Sequence, residues 1–203
     1  MAAPGFRHQG TQNPAGGARR LLCCLLALVV TIVVIVGLII LIFWLVVRPK
    51  PIDYYVDGAS VHDFNISSSD ALNATLDLTL VADNHRNHRV SVYYDDFEVT
   101  VWYDDNMIAF SNVDPFYQPK RNETRLDVHP LAKSTPLLSS VAKDLKHDRS
   151  GGKVELEVRV RSRIRFKVGS ARTKHYTLHA YCPVVVKFSS ATNFDRVYCD
   201  VDI

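Results

Sequence analysis

Five cations recur at alternate positions in the second half of the chain, and this spacing places them on one face of a predicted strand. They are Arg159, Arg161, Arg163, Arg165 and Lys167. A row of like charges could dock anionic lipid headgroups, cell-wall polysaccharides or an acidic protein partner. A solvated outer face that cross-strand acids partly neutralise explains the same pattern, because alternation alone demands polar side chains there. The sequence leaves both interpretations open.

Cys182 and Cys199 are the candidates for covalent chemistry. If Phe188 pairs with Asn193 in a hairpin, the two cysteines lie directly opposite each other on neighbouring strands. The Cβ atoms of such opposite residues are close enough for a disulfide. We therefore predict this bond. Two free buried thiols are the alternative, and an oxidising compartment favours the bond.

Three Asn-x-Ser/Thr sequons begin at Asn65, Asn73 and Asn122. Each permits N-glycosylation only if it enters the secretory lumen. All three lie beyond the apolar run of residues 21–47 described below. Together they support the translocation of the following part of the chain across a membrane.

Metal-binding and catalytic motifs are missing from the sequence. Asp95-Asp96 and Asp104-Asp105 lack the spacing of a Ca²⁺ loop, and Asp is common in turns. His85 and His88 have no second pair nearby and predict no metal site. Asp200-Val201-Asp202 superficially matches the metal-binding carboxylates of Golgi glycosyltransferases, but the domain is too short and too β-rich for a nucleotide-sugar fold. We expect a non-enzymatic protein without a cofactor.

The charge balance argues against a nucleic-acid surface. The chain has 24 Lys and Arg against 21 Asp and Glu. Three of the cations, Arg7, Arg19 and Arg20, precede residue 21, so the rest of the chain is formally neutral.

Residues 21–47 form an apolar run in which Thr31 is the one polar side chain. As a helix this run spans roughly 40 Å, against about 30 Å of bilayer hydrocarbon. A signal peptide has a shorter apolar region and ends at a small-residue cleavage site, which is missing here. We predict a transmembrane helix rather than a signal peptide or a buried core helix. Cys23 and Cys24, at its start, are candidates for S-palmitoylation or simply apolar residues of the helix.

The arginines before the helix predict its orientation, because cytoplasmic flanks carry the excess of Lys and Arg. The N-terminus should stay in the cytosol, and the C-terminal part should be translocated by this single-pass anchor. Residues 1–20, rich in Gly, Pro and Ala, predict a disordered cytosolic tail. Residues 48–58 predict a linker and residues 59–203 an extracellular domain.

Beyond Asp53 apolar residues alternate with polar ones, which predicts strands with one buried face. The expected strands are 72–82, 90–94, 99–103, 107–110, 126–128, 154–168 with a bend or a bulge near Ser162, 173–181, 184–188 and 196–201. Thr135 and Pro136 predict the start of one short helix that ends at Ser150-Gly151-Gly152 and buries Leu137, Leu138, Val141 and Leu145. This pattern is typical of an all-β fold, an antiparallel β-sandwich.

Two motifs carry a resemblance to a known family: Asn87-His88-Arg89-Val90-Ser91-Val92-Tyr93-Tyr94-Asp95, and Pro115-Phe116-Tyr117-Gln118-Pro119 followed by Asn122-Glu123-Thr124. The chain resembles the plant harpin-induced-like and non-race-specific disease-resistance-like membrane proteins. These carry a late-embryogenesis-abundant domain of subgroup two, also called the water-stress and hypersensitive-response domain. Family members usually have Asn-Pro-Asn where this chain has His85-Arg86-Asn87. Only Asn87 matches.

The resemblance implies a fibronectin-like β-sandwich at the plasma membrane or plasmodesmata, a role in defence or abiotic stress, and no catalytic residues. We expect a membrane-anchored extracellular binding module of plant stress or immune responses, with a partner that the sequence does not name. The alternative is a lipid-handling domain whose sandwich opens to hold an acyl chain near the bilayer.

Overall fold

The computed structural model describes residues 15–47, 50–188 and 194–203. Its first element, α1, is a helix over Ala15–Val47. The segment Leu22–Ile42 has a mean hydropathy of 3.5, and by length and composition it can cross a membrane. Because α1 begins at Ala15, residues 15–20 of the predicted tail are helical, whereas residues 1–14 lie outside the described part. The chain divides into two compact units, Met1–Arg48 and Pro49–Ile203.

The second unit, hereafter the β-domain, contains all the strands that the structure describes and one short helix. Its elements are β1 (Asp53–Ile66), β2 (Ala71–Asp83), β3 (Val90–Tyr103), β4 (Asn106–Val113), β5 (Phe116–Gln118), β6 (Glu123–Val128), β7 (Leu131–Pro136), α2 (Ser139–Ser150), β8 (Lys153–Val168), β9 (Ala171–Arg172), β10 (Tyr176–Lys187), β11 (Val197–Tyr198) and β12 (Asp200–Asp202). Residues 53–58, assigned above to the linker, form the first part of β1, and Ile52, Tyr54 and Val56 are buried.

The strands form one antiparallel sheet in the order β11-β1-β2-β7-β4-β3-β8-β10-β12, with β5 beside β3, β6 beside β2 and β9 beside β8. The sheet wraps around its core into a nearly closed sandwich. The gap between β1 and β10, which we call the seam, is crossed by the C-terminal segment. There β11 pairs with β1 and β12 pairs with β10. Between them, the Cys199 amide donates to the Tyr54 carbonyl at 2.9 Å. The predicted antiparallel sandwich is confirmed.

The core follows from the alternation of side chains along the long strands. In β2 and β8 every second residue points into the sandwich, and these residues are apolar except for Ser162. Buried examples are Leu72, Leu76 and Leu80 in β2, and Val158 and Val160 in β8. The periodicity of the sequence therefore predicted the buried face of both strands correctly.

Strand β3 joins two segments that the sequence analysis treated as separate strands. Its register against β8 shifts between Tyr94 and Asp96, so Asp95 is the extra residue of a bulge. The bulge reverses which positions face inward, and Tyr94 and Phe97 are therefore both buried. The expected bulge near Ser162 thus lies in the partner strand. The buried Ser162 hydroxyl donates to the Asp96 carbonyl at this irregularity.

Helix α2 begins later than the sequence suggested. Thr135 and Pro136 belong to β7 and lie opposite Leu72 and Ala71 of β2, so strand pairing prevails over the helix-start signal. Leu138 occupies the N-cap position without a side-chain hydrogen bond and is 65% exposed. The helix packs on the sheet through Val141, Ala142 and Leu145, and it ends at Gly151 as expected.

Candidate functional site: a cationic face on strand eight

The cation row lies on the outer face of β8, between β3 and β10. At one end of the row Arg159 lies beside two acids, Glu157 and Asp105, with the Asp105 carboxylate at 3.3 Å. The guanidinium also lies over the Trp102 ring, 4.2 Å from its centroid. The charge of Arg159 is therefore neutralised, and its side chain is held against the sheet.

Arg165 is neutralised in the same way by Asp95, the bulge residue of β3. Its Nε and Nη2 atoms donate to the two oxygens of that carboxylate, with an Nε–Oδ2 distance of 2.7 Å. His175 lies 3.4 Å from the same group. The hydrogen bonds from Arg165 hold the pKa of Asp95 below its ordinary value.

Arg161 and Arg163, in the middle of the row, are exposed. Glu98 lies opposite Arg161 in the ladder, and Asp96 lies opposite Arg163. Opposite residues of antiparallel strands have Cβ atoms about 5 Å apart, so these carboxylates offset the field of the two arginines. The row from Arg159 to Arg165 is the partly neutralised outer face that the sequence allowed.

Lys167 has a different environment. Its Nζ atom lies 5.9 Å from the Tyr93 ring centroid and 5.8 Å from that of Tyr117. Arg172, opposite Lys167 in the ladder, places its guanidinium 4.7 Å from the Tyr93 centroid. Within the described ranges no carboxylate lies within ion-pair distance of Lys167 or Arg172. We call Tyr93, Tyr117, Lys167 and Arg172 the tyrosine–cation cluster.

Sequence reasoning found Lys167 and missed the other three members of the cluster. Tyr117 lies in β5, which pairs with β3 so that Tyr117 is opposite Tyr93, with the ring centroids 4.6 Å apart. The sequence offered one signal, since the two motifs of the resemblance contain Tyr93 and Tyr117. Only the pairing of β5 with β3 brings these rings together.

The predicted disulfide between Cys182 and Cys199 is present, with a Cα–Cα distance of 4.2 Å. The β10–β12 register, in which Tyr181 lies opposite Asp200, is the one that the predicted hairpin requires. The loop 189–193 of that hairpin lies outside the described residues. On the other side of the seam, Arg196 binds Asp57 of β1 with an Nη2–Oδ1 distance of 3.0 Å. The C-terminal segment is thus attached to both edges of the sheet.

A buried polar network, the β1-end network, joins the loops at the end of the β-domain where β1 begins. Gln118 donates to the carbonyls of Ala82 (2.7 Å) and Asn122 (3.1 Å), and its Oε1 accepts from the Tyr94 hydroxyl at 3.0 Å. The Tyr54 hydroxyl donates to that of Tyr94 at 2.7 Å. Burial raises the pKa of both phenols, so each stays protonated and able to donate.

Asn87 extends the network to the first described residue after α1. Its side chain exchanges two hydrogen bonds of 2.9 Å with the backbone N–H and C=O of Lys50, and it donates to Asn84 Oδ1 at 2.8 Å. The Asn87 amide also closes a turn on the Asn84 carbonyl, although Arg86 stands where the resemblance led us to expect a proline. The turn therefore forms without the proline.

Comparisons with known proteins identify the family of the chain. The profile described as "Late embryogenesis abundant protein" matches residues 79–182. An uncharacterized protein of Arabidopsis thaliana is 34% identical over 79% of this chain and 74% of its own length. The Arabidopsis NDR1/HIN1-like proteins 3 and 2 are each 31% identical over 80% of this chain, and over 72% and 70% of their own lengths. The chain belongs to the late embryogenesis abundant protein family.

Two solved structures are similar at a lower level. A protein from Archaeoglobus fulgidus aligns with a TM-score of 0.34 and 12% identity over 67% of this chain and 99% of its own. A protein from Arabidopsis thaliana aligns with a TM-score of 0.34 and 16% identity over 72% and 87%.

In this family member the three sequon asparagines occupy different surroundings. Asn65 is exposed on β1. Asn73 accepts a hydrogen bond of 2.9 Å from the Ser134 amide, and Asn122 donates to the Glu123 carbonyl at 3.0 Å. Cys23 and Cys24 are exposed on α1 as free cysteines. Glycosylation and palmitoylation stay predictions.

The acidic residues and histidines that were considered as metal ligands lie in different parts of the fold. His85 lies with Asp83 and Glu123 in a group whose ligand atoms are within 4.8 Å of one another, and His88 is not part of it. Asp104 and Asp105 form the turn between β3 and β4 with positive φ angles. Asp200 and Asp202 lie in the short strand β12. The expected absence of a metal and of catalysis stays a prediction.

An apolar cleft lies under α2, at the end of the β-domain opposite to the β1-end network. Its empty volume is about 270 Å³ when the opening to solvent is counted, but the enclosed part has room for about one water molecule. It is lined by Val61, Phe64, Ala74, Leu76, Ile108, Leu145, Val154, Leu156 and Phe188. The Arg149 guanidinium lies over the Phe64 and Phe188 rings, at 4.8 and 5.9 Å from their centroids. A cation thus borders an otherwise apolar site.

Proposed function

We propose that this protein is a single-pass, membrane-anchored binding module of plant defence and stress responses. In this proposal the N-terminus is cytosolic and the β-domain faces the outside of the plasma membrane. Three observations support it: α1 can cross a bilayer, the three sequons follow α1, and the relatives include NDR1/HIN1-like proteins. The domain acts by holding an anionic partner close to the membrane, without catalysis.

The observation that carries the proposal is the tyrosine–cation cluster. Cations without neighbouring carboxylates create a local positive potential, even in a domain with no net charge. The half-buried Lys167 and the exposed Arg172 supply that potential, whereas the other cations of the row lie beside or opposite acids. Of the cation row, the end at Lys167 is therefore where an anionic partner gains most.

Anchoring strengthens such a contact. A surface that binds its partner weakly in solution holds it well when a membrane presents many copies, because additional contacts form at a high effective concentration. A modest cationic site on an anchored domain therefore suffices for an interaction module.

The proposal is tested with the full chain in nanodiscs of neutral lipid. Binding to anionic liposomes and to polygalacturonate is measured at low and at physiological salt. We expect binding to at least one of them, and we expect it to weaken as salt rises. Absence of binding to both at low salt would overturn the proposal. In sealed vesicles, protease should spare the β-domain and remove only the N-terminal tail, and digestion of the domain would refute the topology.

The apolar cleft favours a second candidate function, the handling of a lipid. In its closed form the cleft has room for about one water molecule, so an acyl chain could enter only if the sandwich opens beside α2, and Arg149 could then hold an anionic headgroup at the edge. The test is mass spectrometry of lipids that co-purify with the full chain and with a Leu145→Trp variant, whose indole would fill the cleft. A lipid in defined stoichiometry that the variant loses supports this function. Equal lipid content in both proteins contradicts it.

A further inference from the structure

We infer that the tyrosine–cation cluster is a binding site for an acidic polysaccharide, a polymer of sugar rings with repeated carboxylates. The inference rests on the proposed function and names the ligand class of its site. It is carried by four side chains that four neighbouring strands bring to one surface: Tyr117 of β5, Tyr93 of β3, Lys167 of β8 and Arg172 of β9.

The cluster combines the two kinds of contact that such a ligand needs. The Tyr117 side chain is 43% exposed and offers a flat apolar ring against which the C–H face of a sugar can pack. Lys167 and Arg172 offer N–H donors to carboxylates, and charge-assisted hydrogen bonds of this kind are the strong ones. Neutral sugars would use only the rings, and simple anions would use only the cations.

The cations are already positioned before a ligand arrives. Arg172 is stacked over Tyr93, and Lys167 lies close to both tyrosine rings. Long side chains that are held in this way lose less conformational freedom on binding. The two rings are also fixed, since their centroids are 4.6 Å apart with an interplanar angle of 41°. The site is thus preorganised on a rigid sheet.

The geometry is less suited to the other anionic partners. A peptide that adds as a strand needs a long free sheet edge, but β8 is paired with β3 and β9 at the cluster, and the outer strands β5 and β9 have only 3 and 2 residues. A surface that inserts into a bilayer needs exposed aliphatic side chains, whereas contact with lipid headgroups alone needs only cations and is tested separately below. The adjacent loop residues 84–89, 119–122 and 169–170 are Asn, His, Arg, Pro, Lys, Gly and Ser.

The experiment uses the full chain in neutral-lipid nanodiscs and calorimetric titration with galacturonic-acid oligomers. The cluster variant carries Lys167→Gln and Arg172→Gln. The control variant carries Lys133→Gln and Lys143→Gln, which removes the same charge from exposed positions in β7 and α2. We expect the cluster variant to bind at least about tenfold more weakly and the control to bind like the wild type. Equal weakening of both variants would overturn the site, because net charge alone would then explain binding.

A second pair of variants tests the aromatic contact. Tyr117→Phe keeps the ring and should bind like the wild type, whereas Tyr117→Leu should weaken binding by about three- to tenfold. Wild-type affinity in the Leu variant would refute the saccharide contact. Fully methyl-esterified oligomers, which lack the carboxylates, should not bind, and binding that survives esterification would contradict the role of the cations. Equal melting temperatures show that each variant is folded.

Phosphatidylserine liposomes separate the inference from the proposed function. If the wild type binds these liposomes through the cluster and does not bind the oligomers, the ligand class is wrong and the proposed function stands. If the wild type binds neither the liposomes nor the oligomers, both the ligand class and the proposed function are wrong.

Discussion

At the end of the β-domain where β1 begins, buried polar side chains join the loops, whereas at the opposite end α2 covers the sheet with apolar side chains. Gln118 and Asn87 make several specific hydrogen bonds at the first end. Leu145, Phe64 and Phe188 pack around a cleft at the second. Hydrogen bonds fix a geometry, while apolar contacts tolerate small shifts. The polar end is therefore suited to hold the neighbouring surface in one geometry. The apolar end is suited to change its packing when α2 or the cleft shifts.

The surface beside the polar end carries the tyrosine–cation cluster. Gln118 lies in β5 next to Tyr117, so the network that fixes Gln118 also fixes the strand that presents this ring. A disturbance of the network should therefore reach the cluster. A disturbance of the apolar end should not.

The largest effect is expected for Gln118→Leu, which keeps the size of the side chain and removes all of its hydrogen bonds. The Tyr94 hydroxyl and two carbonyls then lose a partner in a buried site. We expect a loss of about 3–5 kcal/mol in unfolding free energy, measured by urea denaturation. A loss below about 1 kcal/mol would show that water replaces the side chain and would remove the contrast between the two ends.

Leu145→Ala tests the apolar end. The substitution enlarges the cleft, and we expect a loss of about 2–4 kcal/mol because transfer and cavity terms add. Val185→Ala, on the outer face of β10, is the control and should change stability by about 0.5 kcal/mol or less. Galacturonate binding should be unchanged by Leu145→Ala and weakened by Gln118→Leu. The reverse order of binding losses would contradict the coupling of the network to the cluster.

The disulfide at the seam should contribute somewhat less to stability than either of these side chains. The double variant Cys182→Ala, Cys199→Ala removes a cross-link between residues 17 apart, and it should lose about 2–3 kcal/mol. The wild type in reductant should unfold like the variant, and the variant should not respond to reductant. A reductant response in the variant would assign the effect to something other than this bond.

A smaller effect is expected for Arg165→Gln, which leaves Asp95 without its strongest partner. Because the pKa of Asp95 is lowered in the folded protein, its contribution is present above the unfolded value of about 3.9 and is lost as pH falls through the folded value. Arg165→Gln should therefore destabilise at neutral pH by less than about 1 kcal/mol. Thermal melts should show this difference shrinking as the pH falls below about 3.9. A difference that grows in acid would refute the assignment.

The smallest effect is expected in the middle of the cation row. Arg161→Gln and Arg163→Gln should each change stability by about 0.5 kcal/mol or less, because both side chains are exposed. They should also weaken galacturonate binding less than the change at Lys167 and Arg172, since Glu98 and Asp96 already offset them. A larger binding loss than at the cluster would show that the whole row docks.

The sequence by itself determined the elements that depend on local periodicity. The apolar run predicted α1, and alternation predicted the buried faces of β2 and β8, because side chains repeat every two residues in a strand. The hairpin register even predicted which cysteines meet. All of these are properties of neighbours along the chain or of one simple pairing.

Tertiary structure decided what depends on distant pairing. Thr135 and Pro136 carry a helix-start signal, but pairing with β2 places them in a strand. The bulge at Asp95 switches the buried positions of β3 from even-numbered to odd-numbered residues. Alternation alone therefore predicted two strands where the structure has one. Lys167 differs from its neighbours in the row because Ser91 rather than an acid lies opposite it in β3, and because β5 and β9 bring Tyr117 and Arg172 beside it. Period-two spacing fixes which face a residue occupies, whereas the partners on that face come from strands that only the folded sheet brings together.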